Sequence, residues 1–200
     1  MNLNINKKRK IRDIIKLFYA FVLSFLYFPH MTIYFLSKHY NLINSDIAAL
    51  KLQLKISLPN WIAILFFLHN NSYYRSLFYY RIGPVLSLII SWWRPGNRYF
   101  IIPDSTKISG GLLFAHPYST ILNAESIGKN FSCIHCITIG KKDGKRPIIG
   151  DNVTVACNVC IIGGINIGNN VIIGAGSVVV KDVPSNCVVA GNPAKIIKKF

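Results

Sequence analysis

Acidic residues are scarce in this chain of 200 residues, which has 7 Asp and Glu against 23 Lys and Arg and a formal net charge of +16. The excess lies towards the N-terminus, since residues 1–107 carry 14 basic and 3 acidic side chains, while residues 108–184 carry 6 and 4. No zinc-finger, RNA-binding or helix-turn-helix pattern accompanies this charge, so we expect no nucleic-acid partner. Basic residues beside aromatic and aliphatic runs favour a membrane surface instead.

Cysteine is too sparse for a disulfide scaffold, with five residues in the whole chain. We therefore expect reduced thiols and a cytoplasmic location. Four of the cysteines form the pattern C-x2-C-x20-C-x2-C over residues 133–160, which has the spacing of a four-cysteine zinc site. Whether these four sulfur atoms meet depends on the periodicity of the segment that carries them.

A run of twenty residues without a formal charge extends from Leu17 to Leu36, between Lys16 and Lys38. It is long enough to span a bilayer, but Pro29 near its middle disfavours a single straight span. A basic flank on an aromatic-rich helix is also typical of an interfacial anchor, and a buried oligomerisation helix has a similar composition. No small-residue cleavage site follows, so we expect no removed signal peptide. The sequence leaves span, anchor and oligomerisation helix open.

Aliphatic side chains recur every six residues in the second half of the chain. One set is Ile149, Val155, Ile161, Ile167, Ile173 and Val179, and a second set lies four residues further on, at Val153, Val159, Ile165, Val171, Ser177 and Val183. Upstream, Ile121, Ile127, Cys133 and Ile139 keep the same step. Neither a helix nor a simple strand has this period, which indicates a hexapeptide β-helix with three hexads in each coil. Glycines after the aliphatic position, at 128, 140, 150, 168 and 174, are predicted at tight turns.

The hexad positions place the four cysteines apart. Cys133 takes the inward aliphatic position, whereas Cys136, Cys157 and Cys160 take three other positions of their hexads. Thiols on different faces cannot surround one tetrahedral metal ion, so the zinc site is rejected. A three-histidine metal site is also rejected, because only two histidines lie in the coils; we expect no metal.

Two irregular steps set the alignment between coils. The ten-residue step from Ile139 to Ile149 predicts a four-residue loop insertion within "KKDGKR", and the seven-residue step from Phe114 to Ile121 predicts one extra residue. With these insertions, His116, His135 and Cys157 fall in one column at one corner of the β-helix. Two imidazoles on adjacent coils predict a reactive groove, in which His116 and His135 are the catalytic candidates.

The chain divides into four segments by composition. Residues 1–45 are a basic and apolar N-terminal segment, for which membrane association is one alternative, and residues 46–97 are a helical region with Ser45 as the expected N-cap. Residues 98–184 are the predicted β-helix domain, and residues 185–200 are a C-terminal tail. The predicted fold class is mainly β, with a left-handed parallel β-helix after an α-helical N-terminal region.

Several motifs resemble those of serine acetyltransferases of the hexapeptide-repeat family, and of the related O-acetyltransferases of capsule and exopolysaccharide biosynthesis. They are "FYYRIG", "GGLLFAHPYST", "ITIGKKDGKRPIIGDNV", "IIGAGSVVVKDVP" and "AGNPAKII", which together extend over roughly residues 73–200. The resemblance implies a left-handed β-helix, acetyl-CoA as co-substrate, and a homotrimer or a dimer of trimers.

The resemblance also implies roles for particular residues. His116 matches the general base, which takes the proton of an acceptor hydroxyl as its oxygen attacks the thioester carbonyl. Gly140, Cys157 and Ala175 match positions that contact the thioester and the pantetheine arm. Lys181 and Lys195 are candidates for the nucleotide phosphates. Lys145 and Arg146 occupy the position of the family's Arg-His pair and are expected to bind the acceptor.

Two departures from the family bear on the acceptor. The Asp that precedes the family's catalytic His is Ala115 here, and the Asp that orients the imidazole is Ile101. The main expectation is therefore acetylation of a sugar hydroxyl in polysaccharide biosynthesis, peripheral to the inner face of the cytoplasmic membrane. The alternatives are a serine O-acetyltransferase of cysteine biosynthesis and a non-catalytic trimeric scaffold.

Overall fold

The computed structural model describes residues 18–200, so the basic residues of the first seventeen lie outside the described part of the chain. Its first half is helical, and the helices begin well before residue 46. They are α1 (Phe18–Leu26), α2 (Phe28–Leu36), α3 (Tyr40–Gln53), α4 (Asn60–Asn70), α5 (Ser72–Ile82) and α6 (Pro84–Ile90). The axes of α1 and α2 differ by 83°. Pro29 lies in the first turn of α2, where a missing N–H costs no hydrogen bond.

The predicted N-cap at Ser45 is wrong, because α3 begins five residues earlier at Tyr40. The Tyr40 ring packs against Tyr34 of α2, with 5.0 Å between ring centroids, and its N–H donates to the Ser37 carbonyl. These tertiary contacts start the helix without a capping side chain. Asn71 is a true N-cap, since its side chain accepts hydrogen bonds from the amides of Tyr73 and Tyr74 at the start of α5.

Membrane crossing was one expectation for the segment 17–36. No single helix in residues 18–200 combines the length and apolar character that a bilayer span requires. The bent pair of α1 and α2 reaches them only when the two helices are taken together.

The second half is a parallel β-helix of about five coils, which confirms the predicted left-handed β-helix after N-terminal helices. Sheet A has the order β1-β4-β7-β10-β13, sheet B has β11-β8-β5-β2, and sheet C has β15-β14-β12-β9-β6-β3. The strands are β1 (Phe100–Ile101), β2 (Lys107–Ile108), β3 (Leu113–Phe114), β4 (Thr120–Leu122), β5 (Ser126–Ile127), β6 (Ser132–Cys133), β7 (Thr138–Gly140), β8 (Ile148–Ile149), β9 (Thr154–Val155), β10 (Cys160–Ile162), β11 (Asn166–Ile167), β12 (Val171–Ile173), β13 (Val178–Val179), β14 (Cys187–Gly191) and β15 (Ala194–Lys199).

The residues that repeat every six positions form the core of this β-helix. All twelve predicted inward positions from Ile149 to Val183 are buried, including the hydroxyl side chain of Ser177, which donates to the Gly174 carbonyl at 2.6 Å. Outside the core, side-chain amides of Asn130, Asn152, Asn170 and Asn186 form a ladder of hydrogen bonds from coil to coil. These asparagines all have positive φ of 55–59°, so they make the turns that glycine was predicted to make.

The predicted reason for the repeated glycines is therefore wrong, since their φ values do not lie in the left-handed region. Space explains them instead. A Cβ on Gly128 would lie 2.5 Å from the backbone of Gly150 on the next coil, and a Cβ on Gly168 would lie 2.5 Å from the Ser185 amide. The coils approach one another too closely at this corner for any side chain.

The hexad alignment fails at one upstream position. Ile121 was predicted to point inward but is partly exposed, and Leu122 is fully buried in its place. The strand β4 pairs Ile121 with Thr138 and Leu122 with Ile139, so its register differs by one residue from the prediction. The cause is a two-residue insertion before this strand, at His116 and Pro117.

Residues 185–200, expected as a tail, form two strands. β14 adds to sheet C beside β12, and β15 returns antiparallel to it. Cys187 and Val189 of β14 are buried and close the end of the core, whereas β15 is largely exposed.

A buried ion pair joins the helices to the first coil. Arg81 of α5 donates through Nε to Asp46 of α3 at 2.8 Å, and its guanidinium also reaches the carbonyls of Ile108 and Ser109. The Asp46 carboxylate accepts the amides of Gly111 and Leu112, both at 2.9 Å. Because both charges are fully hydrogen-bonded, this pair fixes the orientation of the helical region on the β-helix.

Candidate functional site

Four of the predicted site residues lie together at the corner where sheet C passes to sheet A. We call this the histidine corner, formed by His116, His135, Cys157 and Ala175, which follow the strands β3, β6, β9 and β12. Cys133 pairs with Val155, which places Cys157 one coil above His135. The amide of Asn158 donates to the His135 carbonyl at 3.1 Å, and the amide of Gly176 donates to the Cys157 carbonyl at 3.0 Å. The predicted stack of His135 and Cys157 is therefore present.

His116 departs from this stack because two residues are inserted here rather than one. Before the insertion, Phe114 pairs with Cys133, and the Ala115 amide donates to the Cys133 carbonyl. After it, the Tyr118 carbonyl accepts from the Cys136 amide at 2.8 Å, as the His135 carbonyl does from Asn158 one coil higher. His116 and Pro117 therefore form a bulge between aligned positions.

The bulge gives His116 an unusual backbone conformation and an exposed side chain. Its φ is 50°, in the left-handed region that few residues other than Gly and Asn adopt. Pro117 is buried beneath it, while the His116 side chain is exposed. A bulge that re-aims one side chain at the edge of regular structure is common beside active sites.

No carboxylate hydrogen-bonds the His116 ring within residues 18–200. Glu125 binds Arg146, with 2.7 Å between Oε2 and Nη2. Asp104 lines a cavity of about 710 Å³ between the helices and sheet B, with Lys38 and Tyr80. Among the described residues, His116 thus has no carboxylate partner of the kind that usually fixes the orientation of a catalytic imidazole.

The sequence analysis missed an aromatic pair beside His116. The rings of Tyr99 and Tyr118 lie 4.9 Å apart between centroids, and both are about half exposed. The Tyr118 amide donates to the His116 carbonyl at 2.6 Å, and the Tyr99 carbonyl accepts from Thr120. "HPY" contains Tyr118, but Tyr99 precedes the regular repeats, so counting hexads could not place it.

All remaining candidates except Lys195 lie at the next corner, where sheet A passes to sheet B. Gly140 ends β7, and residues 141–146 form a hairpin in which the amides and carbonyls of Lys142 and Lys145 bond reciprocally at 3.0 Å. Asp143 and Gly144 at its tip both have positive φ, as a type I′ turn requires. This is the outward loop that the sequence predicted.

Basic side chains gather over this hairpin. Lys142 and Lys145 lie over the glycines 163 and 164, which leave room for their stems. Lys181 follows β13, whose register with β10 places it one coil above Gly163. Arg146 lines the same pocket as Lys145, but its guanidinium is held by Glu125 and by Ser105 at 2.7 Å. The phosphate candidate Lys181 and the acceptor candidate Lys145 thus share one corner.

Lys195 and the thiols occupy separate places. Lys195 lies on the exposed strand β15, opposite Ala190 of β14. Cys133 points into the core, and burial raises the pKa of its thiol to about 12, so it is no nucleophile. Within residues 18–200, no three side chains of metal-binding type lie close enough to hold an ion.

Comparison with known proteins finds serine acetyltransferases among the similar proteins. The chain is 40% identical to serine acetyltransferase 2 of Arabidopsis thaliana over 102 residues, which are 48% of this chain and 32% of that protein. The chain is similar to serine acetyltransferases over about half its length. It spans a third or less of the first plant relatives it matches. No protein-family model matches it.

Solved structures share the fold over more of the chain. A Neisseria gonorrhoeae serine acetyltransferase in complex with serine has a TM-score of 0.59 and 26% identity, and the match covers 80% of this chain and 69% of that one. A Brucella abortus serine acetyltransferase in complex with coenzyme A has a TM-score of 0.58 and 23% identity, covering 88% and 75%. Helices followed by a β-helix are thus common to these proteins and to this chain.

Proposed function

We propose that this protein is an acetyl-CoA-dependent O-acetyltransferase in which His116 is the general base. The observation that carries the proposal is the bulge at residues 116–117, which presents one imidazole to solvent in a fold shared with serine acetyltransferases. The imidazole takes the proton of an acceptor hydroxyl while that oxygen attacks the thioester carbonyl carbon. The tetrahedral adduct then expels the CoA thiolate, which takes the proton from the imidazolium. His135, half-buried one coil higher, is a second contact for the reacting groups.

Acetyl-CoA fits the arrangement of charge on the β-helix. The histidine corner carries small side chains at Cys157 and Ala175, past which a thioester arm can run, and the next corner carries Lys142 and Lys181 for the phosphates. Ammonium groups suit the phosphates of the nucleotide. No metal is required by this chemistry. A homotrimer or a dimer of trimers, with the arm between adjacent β-helices, is part of the proposal.

L-Serine is the first acceptor candidate. Several similar proteins are named serine acetyltransferases, and one similar structure is a complex with serine. Of the two acceptor candidates, Lys145 forms no salt bridge within residues 18–200, whereas Arg146 is engaged by Glu125. Lys145 is therefore the residue assigned to the acceptor carboxylate.

A saccharide hydroxyl is the second candidate, and the surroundings of His116 favour it. Ala115 and Ile101 leave no carboxylate there for an amino-acid ammonium group. The exposed rings of Tyr99 and Tyr118, tilted by 47° to each other, instead offer apolar ring faces with hydroxyl groups at their edges, and such a face suits the C–H face of a sugar ring. An acceptor of this class places the enzyme in polysaccharide biosynthesis, peripheral to the inner face of the cytoplasmic membrane.

One assay separates these readings. CoA release from acetyl-CoA is measured with full-length protein, L-serine, and a panel of mono- and disaccharides, beside the variants Tyr118→Ala and Lys145→Ala. Turnover with L-serine that depends on Lys145 establishes the first candidate, and turnover with saccharides alone that depends on Tyr118 establishes the second. If acetyl-CoA itself does not bind, as measured by calorimetry, the protein is a scaffold and the proposal is wrong.

A further inference from the structure

The helix α1 is apolar on both of its sides. Its inner side packs Ala20 and Leu23 into the core, while Phe18, Phe21 and Phe25 on its outer side are 69%, 60% and 70% exposed. These outer residues recur at three- and four-residue spacing and so form one face of the helix. A helix on the surface of a protein in water normally carries polar residues there. This outer face is therefore suited to an apolar environment.

A second element extends this apolar surface. In α6 and the turn after it, Val85, Leu88, Ile89 and Trp92 are all strongly exposed, and Ile90 alone is buried. Trp93 joins the two elements, because its ring lies 5.2 Å from Tyr27 and 6.0 Å from His30 at the bend between α1 and α2. Trp92 is thus beside that bend. We call Phe18, Phe21, Phe25, Phe28, Val85, Leu88, Ile89 and Trp92 the aromatic face.

The charge of the sequence that precedes the aromatic face identifies the partner of this face. The sequence leading into α1, "NKKRKIRDIIK", has six Lys and Arg against one Asp and ends one residue before Leu17. Residues 1–107 as a whole carry 14 basic and 3 acidic side chains. A second copy of this region would bring like charges together, whereas an anionic surface would be attracted to it. Aromatic side chains with adjacent cations are the two signals of peripheral attachment to anionic lipid.

We propose that the aromatic face inserts into the interface of a bilayer containing anionic lipid, and that the charge of the basic sequence 6–16 adds electrostatic attraction to the headgroups. Insertion of Phe, Leu and Trp side chains supplies the apolar contribution, and Lys and Arg supply attraction that salt screens. This inference does not depend on the acetyl-transfer reaction or on its acceptor.

The test is co-sedimentation of the full chain with vesicles of phosphatidylcholine alone or with one third phosphatidylglycerol. We expect binding to the anionic vesicles that falls about tenfold or more when Phe21, Phe25 and Trp92 are all changed to Ser. A matched variant changes three exposed apolar residues elsewhere, Leu52, Ile148 and Ile172, to Ser and should bind like the natural protein. Binding should also weaken about tenfold between low and high salt.

Three results would overturn the proposal. The first is equal binding by both triple variants. The second is the absence of vesicle binding together with self-association that the Phe21, Phe25 and Trp92 substitutions abolish, which would assign the face to a second copy. The third is retention of the protein in the vesicles after an alkaline carbonate wash, which would show a segment that spans the bilayer. Circular dichroism of both triple variants checks that the fold is intact.

Discussion

The carbonyl of Tyr118 and the amide of Cys136 form a 2.8 Å hydrogen bond that determines where His116 lies. The bond aligns Tyr118 with His135, although the strand before it aligns Phe114 with Cys133. Only by bulging outward can the chain accommodate His116 and Pro117 between these two alignments. The exposed imidazole is thus a consequence of the register of the β-helix.

The buried pair Arg81–Asp46 should be required for stability. Changing Arg81 to Leu leaves the Asp46 carboxylate buried with the two amides of Gly111 and Leu112 as its remaining partners. We expect the free energy of unfolding to fall by about 3–5 kcal/mol, measured by urea denaturation. Arg98→Leu, at an exposed position, is the control and should change it by less than about 0.5 kcal/mol. Similar losses for both variants would show that the pair is not what joins the helices to the first coil.

Substitutions at an inward and at an outward position of one strand should differ sharply in how much stability they remove. Ile173 is fully buried in β12, whereas its neighbour Ile172 is 41% exposed. Ile173→Ala removes core volume, and we expect a loss of about 2–5 kcal/mol of stability. Ile172→Ala should cost a fraction of that amount. Thermal unfolding of the two variants measures the difference, and a larger loss for Ile172 would place it in an interface between subunits.

Stability should fall in mild acid because of His30. Its side chain is buried against Tyr79, with 3.2 Å between Nε2 and the hydroxyl, and burial, together with the Arg75 charge, lowers the pKa of His30 to about 4. The ordinary value is 6.5, so the unfolded chain binds this proton first as the pH falls. The contribution of neutral His30 is complete above pH 6.5 and is lost between about 6.5 and 4.

The variant His30→Phe isolates this effect. It should lack the part of the pH dependence between 6.5 and 4 that one proton contributes, up to about 1.4 kcal/mol per pH unit. Denaturation at pH 7, 5.5 and 4.5 provides the measurement. An unchanged slope in the variant would assign the acid sensitivity to other groups.

The sequence could predict the regular coils because one residue in six is enough to specify the core. From Ile149 to Val183 every predicted inward residue is buried, and His135 and Cys157 stack as counted. The insertion at His116 was counted as one residue rather than two because Ile121 and Leu122 are both aliphatic. Composition cannot decide which of two adjacent aliphatic residues points inward; the pairing of β4 with β7 decides it.

Contacts distant in sequence were beyond prediction. The pairing of Tyr99 with Tyr118, and of Arg146 with Glu125, depends on how the first irregular coils close. The start of α3 depends on packing of Tyr40 against Tyr34 rather than on a capping residue. Each case involves a choice between local preferences that only the tertiary structure makes.

The central claim is that His116 performs the chemistry, and the most direct test is the turnover number of the variant His116→Asn. Asn tolerates the left-handed backbone at this position, so the variant should keep the bulge and remove only the base. With acetyl-CoA and the acceptor that supports turnover in the panel above, we predict a loss of about a hundredfold or more in kcat with the Kd for acetyl-CoA unchanged. The control variant His39→Asn should keep the kcat of the natural protein within about twofold. A kcat of His116→Asn within that same range would contradict the account.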